Sequence, residues 1–329
     1  PIGIVASGVF ALLAAATALL TAQPAAAATY KVTSTQCEGA GSITEAMDWA
    51  NNNPGEDTIT FSPGLQVEAR RCLQAYSGRG DNYFIVNATE SVVFEGNGAR
   101  LVGAVAWVTS GGLITPIGPS ADCPRDSKTD LILATTPGFI KVGTPNQDNS
   151  LITVTVRDLD MFELNSVARI EKNASLILED ANLDRIIAGY FDCDAVAVEA
   201  QEGANFTARR TVWDEFWNNN KPPAPNLTLG AIVGRSAGNL TIEDSMFRNI
   251  YRGAVRWIGQ TGAEVNIVTS QFALAGGIHV EGDAESNIVN SIVSSSTTGN
   301  VSYSDYILNT SSQDMNIQAS TVLFPSVEC

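Results

Sequence analysis

The sequence predicts an all-β fold, a single-stranded parallel β-helix (a solenoid) with a short N-terminal capping helix. Three observations carry that expectation. The first is a recurring apolar element, hydrophobic at a starting position and again two, seven and ten residues later, with a turn near the fourth. It is clearest in residues 239–250, at Leu240, Ile242, Phe247 and Ile250. Copies start at Val154, Leu176, Phe206 and Val265, weaker ones at Ser286 and Met315, and an early one at Val92 with Phe94, Ala99 and Val102. From Val154 on, the starts lie 22, 30, 34, 25, 21 and 29 residues apart. A variable period of about 20–35 residues is the mark of a coil with loops inserted between its turns. One strand–turn–strand unit cannot bury its apolar side alone, whereas stacked units share a continuous core.

The second observation is charge. In a parallel stack, matching positions of successive turns lie about 4.8 Å apart, where opposite charges stabilise and like charges do not. Three residues after each start the chain carries Arg157, Glu179, Arg209 and Glu243, and nine residues after it Glu163, Arg185 and Glu215. Both columns alternate in sign. The third observation is a helix signature ahead of the repeats. Ser42 and Glu45 have capping-box spacing, Ile43, Ala46, Met47 and Ala50 share one helical face, and Asn53-Pro54-Gly55 stops the helix. A helix over about 42–53 can cover the open end of a solenoid.

In chain order, residues 1–28 come first. They carry no charge, and an apolar run leads into an Ala-rich Ala-x-Ala site. This reads as a secretory signal peptide; the alternative is a retained apolar segment that anchors the protein. The β-helix domain is then 29–329. The segment 57–61, "DTITF", alternates as a strand. Residues 103–150, rich in Pro, Gly, Ser and Thr, read as a long loop, with one turn hidden in "DLILATTPGFIKVG". "NNNKPPAPN", residues 218–226, reads as a shorter one. Long loops on one side of a coil are where binding surfaces are built.

Net charge is −16, with five Lys against fourteen Arg. Such a surface repels nucleic acid and anionic membranes, and acidic polysaccharide too unless a divalent cation bridges them. The five cysteines, Cys37, Cys72, Cys123, Cys193 and Cys329, leave at least one unmatched, and their pairing cannot be read. With one histidine and no CxxC pair, zinc is not expected. Sequons stand at Asn87, Asn173, Asn205, Asn226, Asn239, Asn300 and Asn309 and matter only in a host that glycosylates exports.

Residues 42–61 resemble the opening of exported bacterial proteins named for a C-S-L-R-E-A motif, roughly "SLREAI..AN..PGADTITF". Here it runs Ser42-Ile43-Thr44-Glu45-Ala46-Met47, Ala50-Asn51 and 54–61. Thr44 replaces the motif's Arg, and Cys37 lies upstream of Ser42 instead of beside it. "VVFEGNGARLVG", residues 92–103, is similar to the I-x-G-N-G turn of pectate-lyase-like β-helices. The resemblance implies a right-handed coil at the cell surface or outside the cell. It implies no single activity, because that fold serves lyases, hydrolases, adhesins and structural proteins.

Catalytic candidates come from the outward columns. Four residues after each start stand Asp158, Asp180, Arg210 and Asp244; eight after stand Phe162, Asp184, Asp214 and Arg248. Neighbouring carboxyls raise one pKa or recruit a cation, and a pair about 5 Å apart suits retaining glycoside hydrolysis. Asp184 and Asp214 as acid and nucleophile, near Arg248, make the enzymatic reading. The structural reading is a solvated column in which Arg210 and Arg248 neutralise neighbouring Asp, and it is preferred. A lyase would draw its base from Arg248, Arg252 or Arg256. Asp192 and Asp194 are the calcium candidates; no other cofactor is expected. His279 reads as structural. Trp217, Tyr251 and Arg252 are the candidates for sugar contact, while the repeat frame turns Trp213 inward. The sequence thus favours a non-enzymatic exported protein of the surface or matrix. Adhesion, glycan binding or end-to-end assembly would be its role, with a polysaccharide hydrolase or lyase as the rival.

Overall fold

A computed structural model describes residues 27–69, 84–103, 107–110, 113–116, 138–164, 166–188, 196–218, 231–294, 307–309, 311–318 and 320–323. The apolar run at the start of the chain lies outside them. Among the described residues no helix is long and apolar enough to cross a membrane.

The chain is a parallel β-helix. Its first face stacks Thr29–Val32, Asp57–Phe61, residues 92–95 and 153–157, Ser175–Glu179, Asn205–Arg209, Leu240–Glu243, Glu264–Val268, Glu285–Val289 and Met315–Gln318. The second face stacks Gln66–Glu68, residues 99–102 and 159–162, Asn182–Asp184, Val212–Asn218, residues 246–250 and 271–275, Ile292–Ser294 and Thr321–Leu323. A third face holds Phe84–Ala88, Gly138–Val142, Ser166–Ile170, Val198–Ala200, Ile232–Ala237, the ends of the two long strands Met246–Gly259 and Gln271–Gly282, and Ile307–Asn309. The stretch read as a loop, 103–150, contains an antiparallel hairpin of Trp107–Ser110 with Leu113–Pro116, and the third-face strand Gly138–Val142 within the suspected hidden turn.

The repeat frame holds residue by residue. Val154, Leu176, Phe206, Leu240, Val265, Ser286 and Met315 are register partners in turn. So are Met161, Leu183, Trp213, Phe247, Phe272, Val293 and Val322. The early copy needs a correction. Val92 and Phe94 pair with Val154 and Val156, but Leu101, not Ala99, pairs with Met161. The turn at Gly96-Asn97-Gly98 holds two more residues than its neighbour, so the second arm shifts by two.

From residue 153 to residue 294 each corner between the first two faces is made by one left-handed residue. Asp158, Asp180, Arg210, Asp244, Thr269 and Asn290 have φ of 48–53°, and Asp and Asn tolerate that region better than most residues. The next residue points inward. There Thr211, Ser245, Ser270 and Ser291 are buried at 0–2% exposure. Each serine Oγ donates to the carbonyl two residues back and accepts the N–H of the matching residue one turn earlier. Thr211 N–H goes to Ser245 Oγ (3.1 Å), Ser245 N–H to Ser270 Oγ (3.2 Å), Ser270 N–H to Ser291 Oγ (3.2 Å) and Ser291 N–H to Ser320 Oγ (3.1 Å). Buried amide hydrogens at the corner are thereby satisfied, which burial demands. Ser270→Ala orphans the Ser245 N–H and is expected to cost about 1–3 kcal/mol, as read by urea unfolding.

The capping helix is Ile43–Asn52, with Ser42 Oγ accepting the Glu45 N–H at 3.2 Å. Glu45 Oε2 accepts from the Tyr30 hydroxyl and, secondarily, the Gly41 N–H, which hold its carboxyl below the ordinary range. Asn51 fastens the helix to the third face. Its Nδ2 donates to Asn87 O at 2.7 Å and its Oδ1 accepts the Thr89 N–H at 2.8 Å. Ile43, Ala46, Met47 and Ala50 are all buried beneath it.

Candidate functional site

The first face carries one continuous charge ladder along the coil. Glu95, Arg157, Glu179, Arg209 and Glu243 pair in sequence at 3.0, 2.8, 3.2 and 2.7 Å. The alternation read from the sequence is therefore a physical chain of contacts, extended by Glu95. Burial alone would raise the Glu179 carboxyl, but the guanidinium groups on both sides outweigh it and hold it below the ordinary range. A depressed carboxyl stabilises the fold above its ordinary pKa, and that stability is lost as pH falls through the folded value. Glu179→Gln is accordingly expected to flatten the loss of unfolding free energy below about pH 4.3, by about 1 kcal/mol. Urea unfolding at stepped pH reads it.

The second face carries the catalytic candidates. Asp184 and Asp214 are register partners, and Asp214 in turn partners Arg248. The column predicted from the repeat thus exists. Its chemistry is that of neutralised charge. Arg248 Nη2 lies 2.7 Å from Asp214 Oδ2, and Asn249 Nδ2 donates to Asp214 Oδ1 at 2.8 Å, so both oxygens are engaged. Arg185 Nε lies 3.6 Å from Asp184 Oδ2 while its Nη1 pairs with Glu163 at 3.0 Å. In the turn column, Arg210 clasps Asp180 through two bonds of 2.6 and 2.8 Å, which hold the Asp180 carboxyl low. A nucleophile needs a lone pair open to the sugar, and its partner needs a proton at working pH.

Sequence reasoning missed Asp160. Burial pushes its carboxyl up despite the Asn182 N–H at 3.2 Å and Arg100 at 3.7 Å. It stands two residues before Phe162 on the same outward surface as Asp184. The signal for it was absent, because burial of a single aspartate is not written in the repeat.

Trp213 is inward and 1% exposed, its Nε1 donating to Thr211 Oγ1 at 2.9 Å. Arg256 pairs with Glu281 at 2.6 Å on the third face, and His279 lies 3.4 Å from the same carboxylate. The side chains of Trp217, Tyr251 and Arg252 lie outside what is described, as do Asp192 and Asp194. Among the described residues no three His, Cys, Asp or Glu side chains converge on a metal-sized site. The amides of sequon residues Asn205 and Asn239 accept the next turn's N–H groups, from Asn239 at 2.8 Å and Glu264 at 2.9 Å. Cys37 is disulfide-bonded; Cys72, Cys123, Cys193 and Cys329 lie outside the described residues.

No protein-family model matches the chain, and no curated protein matches it.

Proposed function

We propose that the protein is an exported, non-catalytic β-helix of the cell surface or matrix, acting in adhesion or assembly through its rigid lateral faces and its ends. One observation carries this reading: the outward carboxylates nominated for catalysis sit in ladders and clasps with arginine, Asp214 above all. A charge bound on both oxygens maintains register and leaves little for a substrate. The Cys37 disulfide fits an oxidising compartment, as does the leader-like start. The resemblance of residues 42–61 to the C-S-L-R-E-A opening points the same way.

Assembly has a further support. Ile317 occupies a position that is inward in the earlier turns, yet it is 46% exposed. The strand that holds it, Met315–Gln318, has one edge without a strand partner among the described residues. Strand edges pair readily with other strands, which makes self-association one of the outcomes to measure.

The test is a panel of neutral and acidic polysaccharides, assayed for binding and for release of reducing ends, with and without calcium. Light scattering and electron microscopy on the same samples read self-association. Binding or fibre formation without cleavage is expected, and unchanged by Asp214→Asn. Reducing ends released by the parent and abolished in Asp184→Asn or Asp214→Asn would establish the hydrolase instead.

A further inference from the structure

The second strand of the coil raises a question of charge. Asp57 opens the strand Asp57–Phe61, is 1% exposed, and its Oδ2 has no hydrogen-bond partner among the described residues. Its Oδ1 accepts one bond, from the backbone nitrogen of Ala28, at 3.0 Å. Ala28 is held from the other side as well, since its carbonyl accepts the Thr58 N–H at 2.8 Å. One residue later the strand Thr29–Val32 begins, paired Thr29 to Thr58. A buried carboxylate with one neutral donor and an idle oxygen is costly unless a cation joins it.

The nitrogen that meets it lies where the leader ends. Small residues three and one before the cut satisfy leader processing, and the Ala run offers two adjacent registers. Ala25 and Ala27 direct a cut before Ala28; Ala26 and Ala28 direct one before Thr29. The sequence alone gave the leader as 1–28. The contact with Asp57 separates the two, because a cut before Thr29 discards the donor.

We propose that export processing cuts between Ala27 and Ala28, and that the freed α-ammonium of Ala28 pairs with Asp57 and locks the first strand onto the coil. A leader peptidase adds water across the bond. Ala27 keeps the carboxylate and leaves with the leader, and the Ala28 amine takes up a proton. The new group carries three N–H donors and a full positive charge where the uncut chain has a single amide N–H. It supplies both the missing charge and a donor for Oδ2. Folding at the first turn is thereby coupled to removal of the leader. This rests on the export reading above.

Two measurements test it. The intact mass and N-terminal sequence of protein recovered outside an expressing cell should begin at Ala28. A start at Thr29 overturns the proposal and leaves export standing; an uncut chain held inside the cell overturns both. Next, a chain starting at Ala28 is compared with one carrying a single Gly before Ala28, each with and without Asp57→Asn. The extension should lower the melting temperature by about 3 °C or more in the parent and have no effect beside Asp57→Asn. An equal effect in both backgrounds, or none in the parent, overturns the pairing. Should Asp57→Asn fail to fold, acetylation of the Ala28 amine must give the same loss as the extension, and stability unchanged by acetylation overturns it.

Discussion

Phe247→Ala is expected to lower the free energy of unfolding by about 3–5 kcal/mol. Phe247 is 0% exposed and sits in the inward column of the second face. Its ring stacks on Trp213 at 5.3 Å and 14°, and on Phe272 at 4.7 Å and 5°. Truncation removes the transfer energy of the ring and both stacking partners, each worth about 0.5–1.5 kcal/mol beyond area. The void stays open, because the walls above and below are hydrogen-bonded strands about 4.8 Å apart that cannot close in. Phe247→Leu should cost less, about 1–1.5 kcal/mol, since it keeps most of the volume. Chemical denaturation of the three proteins reads the series. In a stack where each turn touches only its neighbours, damage is local. Hydrogen exchange should therefore rise first in Val212–Asn218 and Gln271–Gly282, with Asp57–Phe61 little changed. Uniform loss of protection would mean that the coil unfolds as one unit.

The inward columns were legible because two faces repeat with a fixed internal spacing. Leu240 to Phe247 is seven residues, and so is Phe206 to Trp213, whatever the loop that follows. The third face was not, for two reasons. Its strands come after loops of variable length, so no constant offset marks them. Gly138–Val142 is buried along its whole length, so it shows no alternation. The early copy misled because Gly96-Asn97-Gly98 adds two residues to a corner that elsewhere has one fewer pair. The serine ladder was present in the sequence as Thr211, Ser245, Ser270 and Ser291, each five residues past a start. Small hydroxyls near a turn read as ordinary turn chemistry, and only stacking shows that they face inward. At the candidate site the sequence placed Asp184, Asp214 and Arg248 in one column correctly. It could not show that Arg248 and Asn249 would take both oxygens of Asp214, since side-chain choice among outward neighbours follows from rotamers and the left-handed corner. Asn249 is itself left-handed, with φ 54°, between Arg248 and Ile250 of the second face.

Gly96→Ala is expected to destabilise the protein by about 3 kcal/mol or more, at the seam where the capped first turns meet the rest of the coil. A β-carbon on Gly96 would lie 2.0 Å from the Asp158 carbonyl oxygen, 2.5 Å from the Asp158 carbonyl carbon and 2.7 Å from Leu159 Cα. All three are backbone atoms of the next turn, so no side chain can swing aside. Relief requires the two turns to part, against the ladder that joins Val92–Val102 to Thr153–Phe162, and overpacking that moves backbone lies at or above the usual range of about 1–3 kcal/mol. Gly98, two residues on, is the control. A β-carbon there meets nothing within 4 Å, but φ is +70°, so Gly98→Ala should cost only the left-handed penalty of about 1–2 kcal/mol. The order of the two variants separates close packing from backbone strain. If Gly98→Ala is the more damaging, the G-N-G corner is held by conformation and the turns are looser there than the geometry shows. If Gly96→Ala is, glycine at that position serves the contact between turns. Proteolysis should then release the part of the chain before Thr153 first, because the seam between Val92–Val102 and Thr153–Phe162 is the interface that the new methyl pries open.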